Sequence, residues 1–463
     1  MEPWCPSEIE RAMERPMPKP LPFLCASALA LSLTACAGTI NNSTTDTASN
    51  VTFTFTDSGV TAAGETDTGY EIDGTALTIT SSGTYTVSGS CADGSIKVKK
   101  STTGVTLVLD GLTLTSENTA AITCGKSSEV TILVSNGTEN SLSDTEQNND
   151  DNYPENENAE NAVIKCKDGS LVTLCGDGEL TITANGKNGI KSGATTDEDG
   201  EASLTIRDLT LNIDAPVNDA INAEQLLNVE SGTLTIDAYS SAGDGFDSNG
   251  DLTITGDTVI VWTANTADNE PLDADGTITV SGGTVLAAGG SSGMGMNLEA
   301  AQPCVIYGST GFGGMPGSTQ SSLIAADADF TIEDADGNAV YSGTARCGAN
   351  FILFSSADVV ADSAYTLKAG NSSTEGTAQS GTVSTGMGMG MGGGFPGGGQ
   401  KPDGEPPESF DGQMPNGEKS ELPDGEVPEM PSGERPTPPS GQGSPADGNA
   451  PADDSTSDTT PTA

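Results

Sequence analysis

A short motif recurs through the middle of the chain and constrains its fold more than any other feature. In each copy a central apolar residue follows a small or apolar residue and precedes a polar one. The central residues are separated by 42, 26, 31, 25 and 26 positions, and they are Ile122, Ile164, Ile190, Ile221, Phe246 and Leu272. The longest spacing contains a polar insertion, residues 144–161. Because units of roughly 25–30 residues cannot close a core alone, they must stack on one another.

Short runs in which Thr alternates with apolar residues fill each unit, as in Leu180-Thr-Ile-Thr-Ala184 and Leu234-Thr-Ile-Asp-Ala238. Alternation with a period of two is typical of strands that bury one face. With about three strands in each unit, one unit makes one turn of a coil. We therefore predict that residues 51–370 form an all-β, right-handed parallel β-helix with the central apolar residues inside. A β-propeller is the alternative, but its blades need about 40 residues and four strands each.

The charge composition excludes several kinds of function. The chain has 17 Lys and Arg residues against 66 Asp and Glu residues, a net charge of −49, and no His. Histidine-based acid–base catalysis, Ser-His-Asp triads and His-ligated zinc are therefore impossible. A strongly acidic chain also repels phosphate backbones, so we expect no binding to nucleic acid.

The two ends of the chain differ from this repeat. Residues 17–36 combine a basic start with a short apolar stretch and read as a signal peptide within residues 1–36. The stretch ends in Leu33-Thr-Ala-Cys36, which matches the bacterial lipobox, so we predict that Cys36 carries lipid. An ordinary secretory peptide with an incidental Cys is the alternative. We expect residues 37–50 to be a polar tether that holds the protein on the extracellular face of a bacterial membrane, with the lipid as its only membrane contact.

The C-terminal segment, residues 381–463, is rich in Gly, Pro, Met and carboxylates. Such a composition cannot bury enough apolar surface to offset the entropy lost on ordering. We predict that this acidic tail is disordered.

Stacking converts equivalent positions of successive units into neighbours at roughly 4.8 Å. The residue after each central apolar position points outward, and the residue two places before it lies in a turn. Five acids at these positions should therefore converge on one side of three consecutive coils: Asp219, Asp244, Asp247, Glu270 and Asp273. Stacked carboxylates repel one another unless a cation neutralises them, and calcium suits an irregular set of oxygen ligands. Solvated turn residues are the alternative, because Asp is also common in turns.

Two cysteines occupy equivalent positions in adjacent units. Cys124 and Cys166 each lie two residues after a central apolar residue, so stacking should bring them within disulfide range. Six cysteines remain after the lipobox, an even number in an exported chain. A ladder of small, buried, reduced cysteines is an equally good interpretation.

Several local sequences in residues 51–370 resemble bacterial cell-surface carbohydrate-binding β-helix domains, which are related in fold to the family 9 pectate lyases. The resemblance depends mainly on the order of these segments along the chain. They are Asp93-Gly-Ser-Ile-Lys-Val98, Val108-Leu-Asp-Gly-Leu112, Gly137-Thr-Glu-Asn-Ser-Leu142, Asn188-Gly-Ile-Lys191, Asp244-Gly-Phe-Asp247, Gly317-Ser-Thr-Gln-Ser321, Asn350-Phe-Ile-Leu-Phe-Ser-Ser356 and Tyr365-Thr-Leu367.

The resemblance implies a pectate-lyase-like solenoid that binds calcium through clustered Asp residues and binds plant polysaccharides. Asp219, Asp244 and Asp247 match the lyase pattern of one Asp followed about 25 residues later by Asp-x-x-Asp. The acid that precedes this motif in the lyases is Gly243 here, and Glu270 or Asp273 could replace it. The lyases also use a Lys on a later coil as the base, but no Lys follows the cluster until Lys368. The resemblance therefore favours a binding protein over an enzyme.

We expect a monomeric, lipid-anchored surface protein that binds an acidic, polygalacturonate-like polysaccharide through calcium and also a cellulose-like glucan. Two alternatives remain at this point. One is a lyase in which Arg207 or Arg346 replaces the base. The other is a non-catalytic adhesion or spacer protein.

Overall fold

The computed structural model describes residues 49–64, 68–194, 203–239, 243–267, 269–291, 296–308 and 321–384. Within these ranges no helix has the length and apolarity needed to cross a bilayer. The predicted signal peptide with Cys36, the tether up to residue 48 and the acidic tail after residue 384 lie outside the described residues.

The described residues form 32 strands, and they divide into three consecutive groups. The N-terminal group is β1 Ser49–Thr56, β2 Gly59–Gly64, β3 Tyr70–Asp73, β4 Ala76–Ile79, β5 Gly83–Cys91, β6 Ser95–Val98 and β7 Val105–Ser116. The central group is β8 Ile122–Cys124, β9 Glu129–Val134, β10 Glu139–Asp144, β11 Ala162–Cys166, β12 Leu171–Gly176, β13 Glu179–Thr183, β14 Asn188–Ser192, β15 Leu204–Arg207, β16 Thr210–Asp214, β17 Ile221–Ala223, β18 Leu227–Val229, β19 Thr233–Ala238, β20 Phe246–Ser248, β21 Leu252–Ile254, β22 Thr258–Thr263, β23 Leu272–Ala274, β24 Ile278–Val280 and β25 Thr284–Gly289. The C-terminal group is β26 Asn297–Gly308, β27 Asp329–Glu333, β28 Ala339–Thr344, β29 Phe351–Ser355, β30 Ala364–Ala369, β31 Ser372–Thr377 and β32 Gln379–Ser384.

Nine strands form a sheet that we call the spine sheet, in the order β23-β20-β17-β14-β11-β8-β6-β4-β3. From β4 to β23 every pairing is parallel and joins strands of successive coils. The six central apolar residues of the motif pair in register, in chain order, and all are buried. The predicted parallel β-helix and its apolar column are therefore confirmed.

Each central coil adds one strand to each of two further faces. One face stacks β9, β12, β15, β18, β21 and β24, and the other stacks β10, β13, β16, β19, β22 and β25, all in parallel register. Along β13 and β19 the apolar residues are buried while the Thr residues between them are partly exposed. One hydrophobic core runs through the inside of the coils.

The apolar column also extends towards the N-terminus, where the motif did not indicate it. Ile96 pairs with Ile122, and Leu77 pairs with Ile96, so two further coils precede the first copy of the motif. In these coils Ser95 and Ala76 precede the central residue, and the turn acids of the later copies are missing. The coil structure therefore extends further towards the N-terminus than the recognisable sequence motif.

The parallel stacking ends with the first residues of β26, which pair with β24, although the repeat was predicted to continue to residue 370. Strand β29 pairs antiparallel with both β25 and β26, and β32 pairs antiparallel with β26. A separate antiparallel sheet has the order β28-β27-β30-β31. It covers a second apolar cluster that includes Trp262, Phe330 and Phe354. This end of the domain continues to Ser384 and buries one outer face of the last coils.

Cys124 and Cys166 are cross-strand partners, as the stacking predicted, but both are free thiols. Both side chains are fully buried. A hydrogen bond with Cys166, together with burial, raises the pKa of the Cys124 thiol. In this structure the pair is therefore two buried thiols, and the disulfide that the spacing allows stays a prediction.

Candidate metal centre

The outward column of the spine sheet carries the acids that stacking predicted and also two lysines. Lys165 pairs with Lys191, Lys191 with Asn222, Asn222 with Asp247, and Asp247 with Asp273. Each step moves one coil along the solenoid, so side chains from five successive units lie in a row.

The turn residues before the spine strands form a second column beside the first. Backbone hydrogen bonds join Ala220 N to Asp244 O at 3.0 Å and Gly245 N to Glu270 O at 3.0 Å. The side chains repeat this pattern, because Asp219 Oδ1 accepts from Asp244 N at 3.0 Å and Asp244 Oδ1 accepts from Glu270 N at 2.6 Å. Each turn acid thus ties its own coil to the next one. A turn role and a ligand role are therefore compatible, since each carboxylate uses one oxygen in the turn.

Three of the predicted ligands form a tight group. Carboxylate oxygens of Asp219, Asp244 and Asp247 all lie within 4.8 Å of one another. Glu270 and Asp273 belong to the next coil and are outside this group, but their charges act on it. Glu270 is buried and Asp273 is partly buried. The structure thus places three predicted ligands together and two beside them.

Burial and mutual repulsion make this cluster unfavourable as a set of bare anions. Burial, followed by repulsion from Glu270, Asp219 and Asp273, raises the pKa of the Asp244 carboxyl well above its usual range. Burial and the charges of Asp219 and Asp273 raise the pKa of Asp247 to about 7, although Lys191 acts in the opposite direction. Burial also raises the pKa of Asp219. A bound divalent cation would relieve this repulsion.

Asn222 adds to the cluster a polar side chain that the acidic pattern did not indicate. Its Nδ2 donates to Asp219 Oδ2 at 2.9 Å and to Asp247 Oδ2, so it lies between the two carboxylates. Its Oδ1 is buried and has no hydrogen-bond partner. Buried polar atoms are nearly always satisfied. In this rotamer the amide nitrogen faces the carboxylates. A 180° flip of the amide would turn its oxygen toward Asp219 and Asp247 and complete an all-oxygen set of ligands, which fits a hard cation such as calcium.

The Lys and Arg residues considered as lyase bases lie in other ion pairs. Arg207 lies 3.9 Å from both Asp208 and Glu230, Arg346 pairs with Asp237, and Lys368 is 2.5 Å from Glu333. The basic residue beside the cluster is Lys191, from the preceding coil, and its Nζ lies 3.6 Å from Glu224. Lys191 precedes the acids in the sequence, so a search for a base downstream of them does not find it. The register of the coils shows that it lies beside the cluster.

Aromatic stacking on sugar rings has few candidates. Trp262 is 2% exposed and packs edge-on against Phe330, so it cannot stack on a sugar ring. Tyr239 is 39% exposed and is the only exposed large aromatic residue in the described part of the chain. An open depression of about 330 Å³ on another face has only polar lining, namely Thr113, Glu139, Asn140, Ser141, Glu179 and Thr181.

Comparison with known proteins places the described solenoid among carbohydrate-binding chains. A family model described as carbohydrate-binding domain-containing protein matches residues 73–385. A carbohydrate-binding domain-containing protein of Acetivibrio thermocellus is 38% identical over 118 residues, which cover 24% of this chain and 38% of that protein. The chain thus spans well under half of that relative. A solved polysaccharide lyase-like protein from C. thermocellum, a gadolinium derivative, is 26% identical with a TM-score of 0.36, and the match covers 50% of this chain and 92% of that one.

Proposed function

The chain belongs to the carbohydrate-binding domain family, and we propose that it is a lipid-anchored surface protein that binds acidic, polygalacturonate-like polysaccharide through calcium. The observation that carries the calcium step is the group formed by Asp219, Asp244 and Asp247, whose oxygens lie within 4.8 Å of one another. Family membership supports a carbohydrate partner, and the donor set supports the ion.

The residues that would hold calcium are the three clustered aspartates, the orphaned amide oxygen of Asn222, and Glu270 or Asp273 from the next coil. Calcium takes six to eight oxygen ligands and tolerates irregular geometry. Protein oxygens that leave some positions open would let it accept oxygens from a ligand. Bound calcium supplies a local positive field in a protein that otherwise repels anions.

The charge of the protein makes the calcium requirement strict. The chain carries a net charge of −49, so a polyuronate is repelled over most of the surface. Calcium reverses the sign of the field at the cluster, and sugar carboxylates can then complete its coordination. A neutral glucan needs no such bridge, and the polar strand faces offer it a weaker binding surface.

Affinity electrophoresis of the whole protein in polygalacturonate gels tests this proposal. We expect retardation with calcium and none with EDTA. The double variant Asp244→Asn/Asp247→Asn should lose the calcium-dependent retardation. The variant Asp73→Asn should keep it, because Asp73 is exposed on β3 at the far end of the spine sheet. Equal retardation with calcium and EDTA would reject the bridge, and no retardation of folded protein would favour the adhesion or spacer role.

A lyase is the second candidate, because the structure places a Lys beside the acids. Lys191 lowers the pKa of Asp219 and of Asp247 through its charge, so it is electrostatically coupled to the cluster. Its ammonium also faces Glu224 at 3.6 Å, however, and is engaged by that carboxylate. Release of 4,5-unsaturated product from polygalacturonate distinguishes the lyase from a binding protein.

A further inference from the structure

The outward column changes sign along the solenoid. Asp247 and Asp273 lie at one end of the row, and Lys191 and Lys165 lie two and three coils away from Asp247, respectively. Adjacent coils are about 4.8 Å apart, so the two lysines are direct cross-strand neighbours. Like charges in this position destabilise a sheet.

Within the described residues, no carboxylate oxygen lies within 4.0 Å of the Lys165 ammonium, and the charges of Glu160 and Glu224 act on it only from farther away. Of the Lys and Arg residues that the structure describes, it is the only partly buried one without an ion pair within 4.0 Å. The nearby acids already pair with other lysines, since Glu160 Oε1 is 2.6 Å from Lys167 Nζ and Glu224 Oε1 is 3.6 Å from Lys191 Nζ. A partly buried lysine without an ion-pair partner is unusual in a chain with about four times as many acidic as basic residues.

The surroundings of Lys165 keep water and counter-ions partly away from it. Burial and the neighbouring charge of Lys191 both lower its pKa. On its other side it pairs with Thr123, which is 4% exposed. The polar insertion borders the same edge, because Asn161 O accepts from Asn188 Nδ2 at 2.9 Å. Two lysines therefore lie on a defined, partly enclosed strip of the spine sheet.

We propose that Lys165 and Lys191 form an anionic-group subsite that binds a carboxylate of the same polyuronate chain that calcium holds at Asp219, Asp244 and Asp247. This inference rests on the proposed function and extends it to a second contact. A polysaccharide that runs along the solenoid axis would place one carboxylate on the ion and a later one between the two ammonium groups. Charge-assisted hydrogen bonds would then supply the missing counter-charge.

The variant Lys165→Gln/Lys191→Gln tests the subsite, because Gln keeps most of the stem and removes the charge. With calcium present, we expect its affinity for polygalacturonate to fall by about tenfold or more. The rise in melting temperature on adding calcium should remain. Lys165→Arg/Lys191→Arg should bind like the unchanged protein.

The matched control is Lys99→Gln/Lys126→Gln, which makes the same change in net charge at exposed lysines of neighbouring coils. Equal loss in the control would show that only overall charge matters, and it would overturn the subsite. Unchanged binding by Lys165→Gln/Lys191→Gln would also overturn it. Equal weakening of binding to dextran sulfate and to polygalacturonate by this variant would reject a preference for carboxylates. If the unchanged, folded protein fails to bind polygalacturonate with calcium, the proposed function itself fails. This outcome is distinct from failure of the subsite alone, in which the unchanged protein still binds.

Discussion

The acidic cluster should make the metal-free protein less stable as pH rises, and calcium should cancel this effect. Asp247 is the clearest contributor, because its pKa is raised to about 7 by burial and by Asp219 and Asp273. In the unfolded chain an aspartate loses its proton near pH 4. Between these two values the folded protein holds one more proton than the unfolded chain. Linkage then requires the free energy of unfolding to fall with increasing pH through this window.

The size of the effect follows from the same pKa. Keeping an aspartate ionised at neutral pH when its pKa is about 7 instead of about 4 costs about 4 kcal/mol. Because Asp247 is partly exposed, solvent screening reduces this cost to about 2 kcal/mol. The pKa of Asp244 is raised as well, so its ionisation changes stability in the same direction. For a domain of this size, about 2 kcal/mol corresponds to a shift of about 4 °C in Tm.

Calcium reverses the trend because only deprotonated carboxylates bind it and only the folded state brings them together. At a free concentration of about 100 times Kd, such a ligand adds about 2.7 kcal/mol to the free energy of unfolding. The gain in Tm from calcium should therefore be small near pH 4.5 and largest near pH 7.5, roughly the window set by these pKa values.

Thermal melts followed by circular dichroism, in EDTA and in calcium across this pH range, measure both effects. Asp247→Asn keeps the side-chain shape and removes the charge. It should flatten the decline in EDTA and remove most of the gain in calcium, whereas Asp73→Asn should do neither. A metal-free Tm that stays level or rises from about pH 5 to about pH 7 would refute the electrostatic reasoning. A calcium gain independent of pH would place the ion elsewhere.

Four further predictions concern single features of the chain. Mass analysis of the membrane-derived N-terminus should find diacylglyceryl-Cys36, and a mature protein that begins elsewhere without lipid would contradict it. Incubation with polygalacturonate and calcium should give no 4,5-unsaturated product, and ultraviolet absorbance that appears and is lost on chelation would establish the lyase instead. Asn222→Ala should weaken calcium binding by about tenfold in calorimetry through loss of its amide oxygen, and unchanged affinity would remove Asn222 from the site. Cys124 and Cys166 should both be alkylated after unfolding without reductant, whereas two blocked cysteines would indicate a disulfide.

The sequence predicted the central coils well because one residue of each unit carries the register. Ile164, Ile190 and Ile221 occupy equivalent buried positions, so the same requirement for an apolar residue recurs at each of them. Once that column is aligned, the neighbours of every outward residue follow, and Asp247 and Asp273 could be paired without a structure. The predicted β-helix included the two N-terminal coils, but the motif did not identify Leu77 and Ile96 as members of the apolar column, because the turns there carry different residues. The same reasoning also missed the antiparallel C-terminal sheet, whose register depends on contacts distant in sequence.

The site was predicted less completely, for two physical reasons. Clustered acidic residues predict a cation site because their charges repel one another. The amide of Asn222 becomes a candidate ligand only when the structure shows that its oxygen is buried without a hydrogen-bond partner. Lys191 was not considered as a base because that search covered only residues downstream of the acids, whereas the coils on both sides of the cluster lie next to it. The burial of Trp262 is likewise hidden from its own strand, because the sheet that covers it comes from residues distant in sequence.

The order of charges along the outward column argues for two external counter-ions rather than one. A sheet can neutralise its own outward charges by alternating acids and bases on neighbouring strands, since opposite charges in register attract. Here Lys165 faces Lys191 and Asp247 faces Asp273, with the neutral Asn222 between the two pairs. The protein therefore retains two repulsive pairs where one exchange of residues would give two attractive ones. In the proposed complex, a calcium ion would relieve only the acidic pair. A polyuronate held by that ion would carry further carboxylates along the column and would relieve the basic pair as well, so one ligand complex would account for both ends of the row.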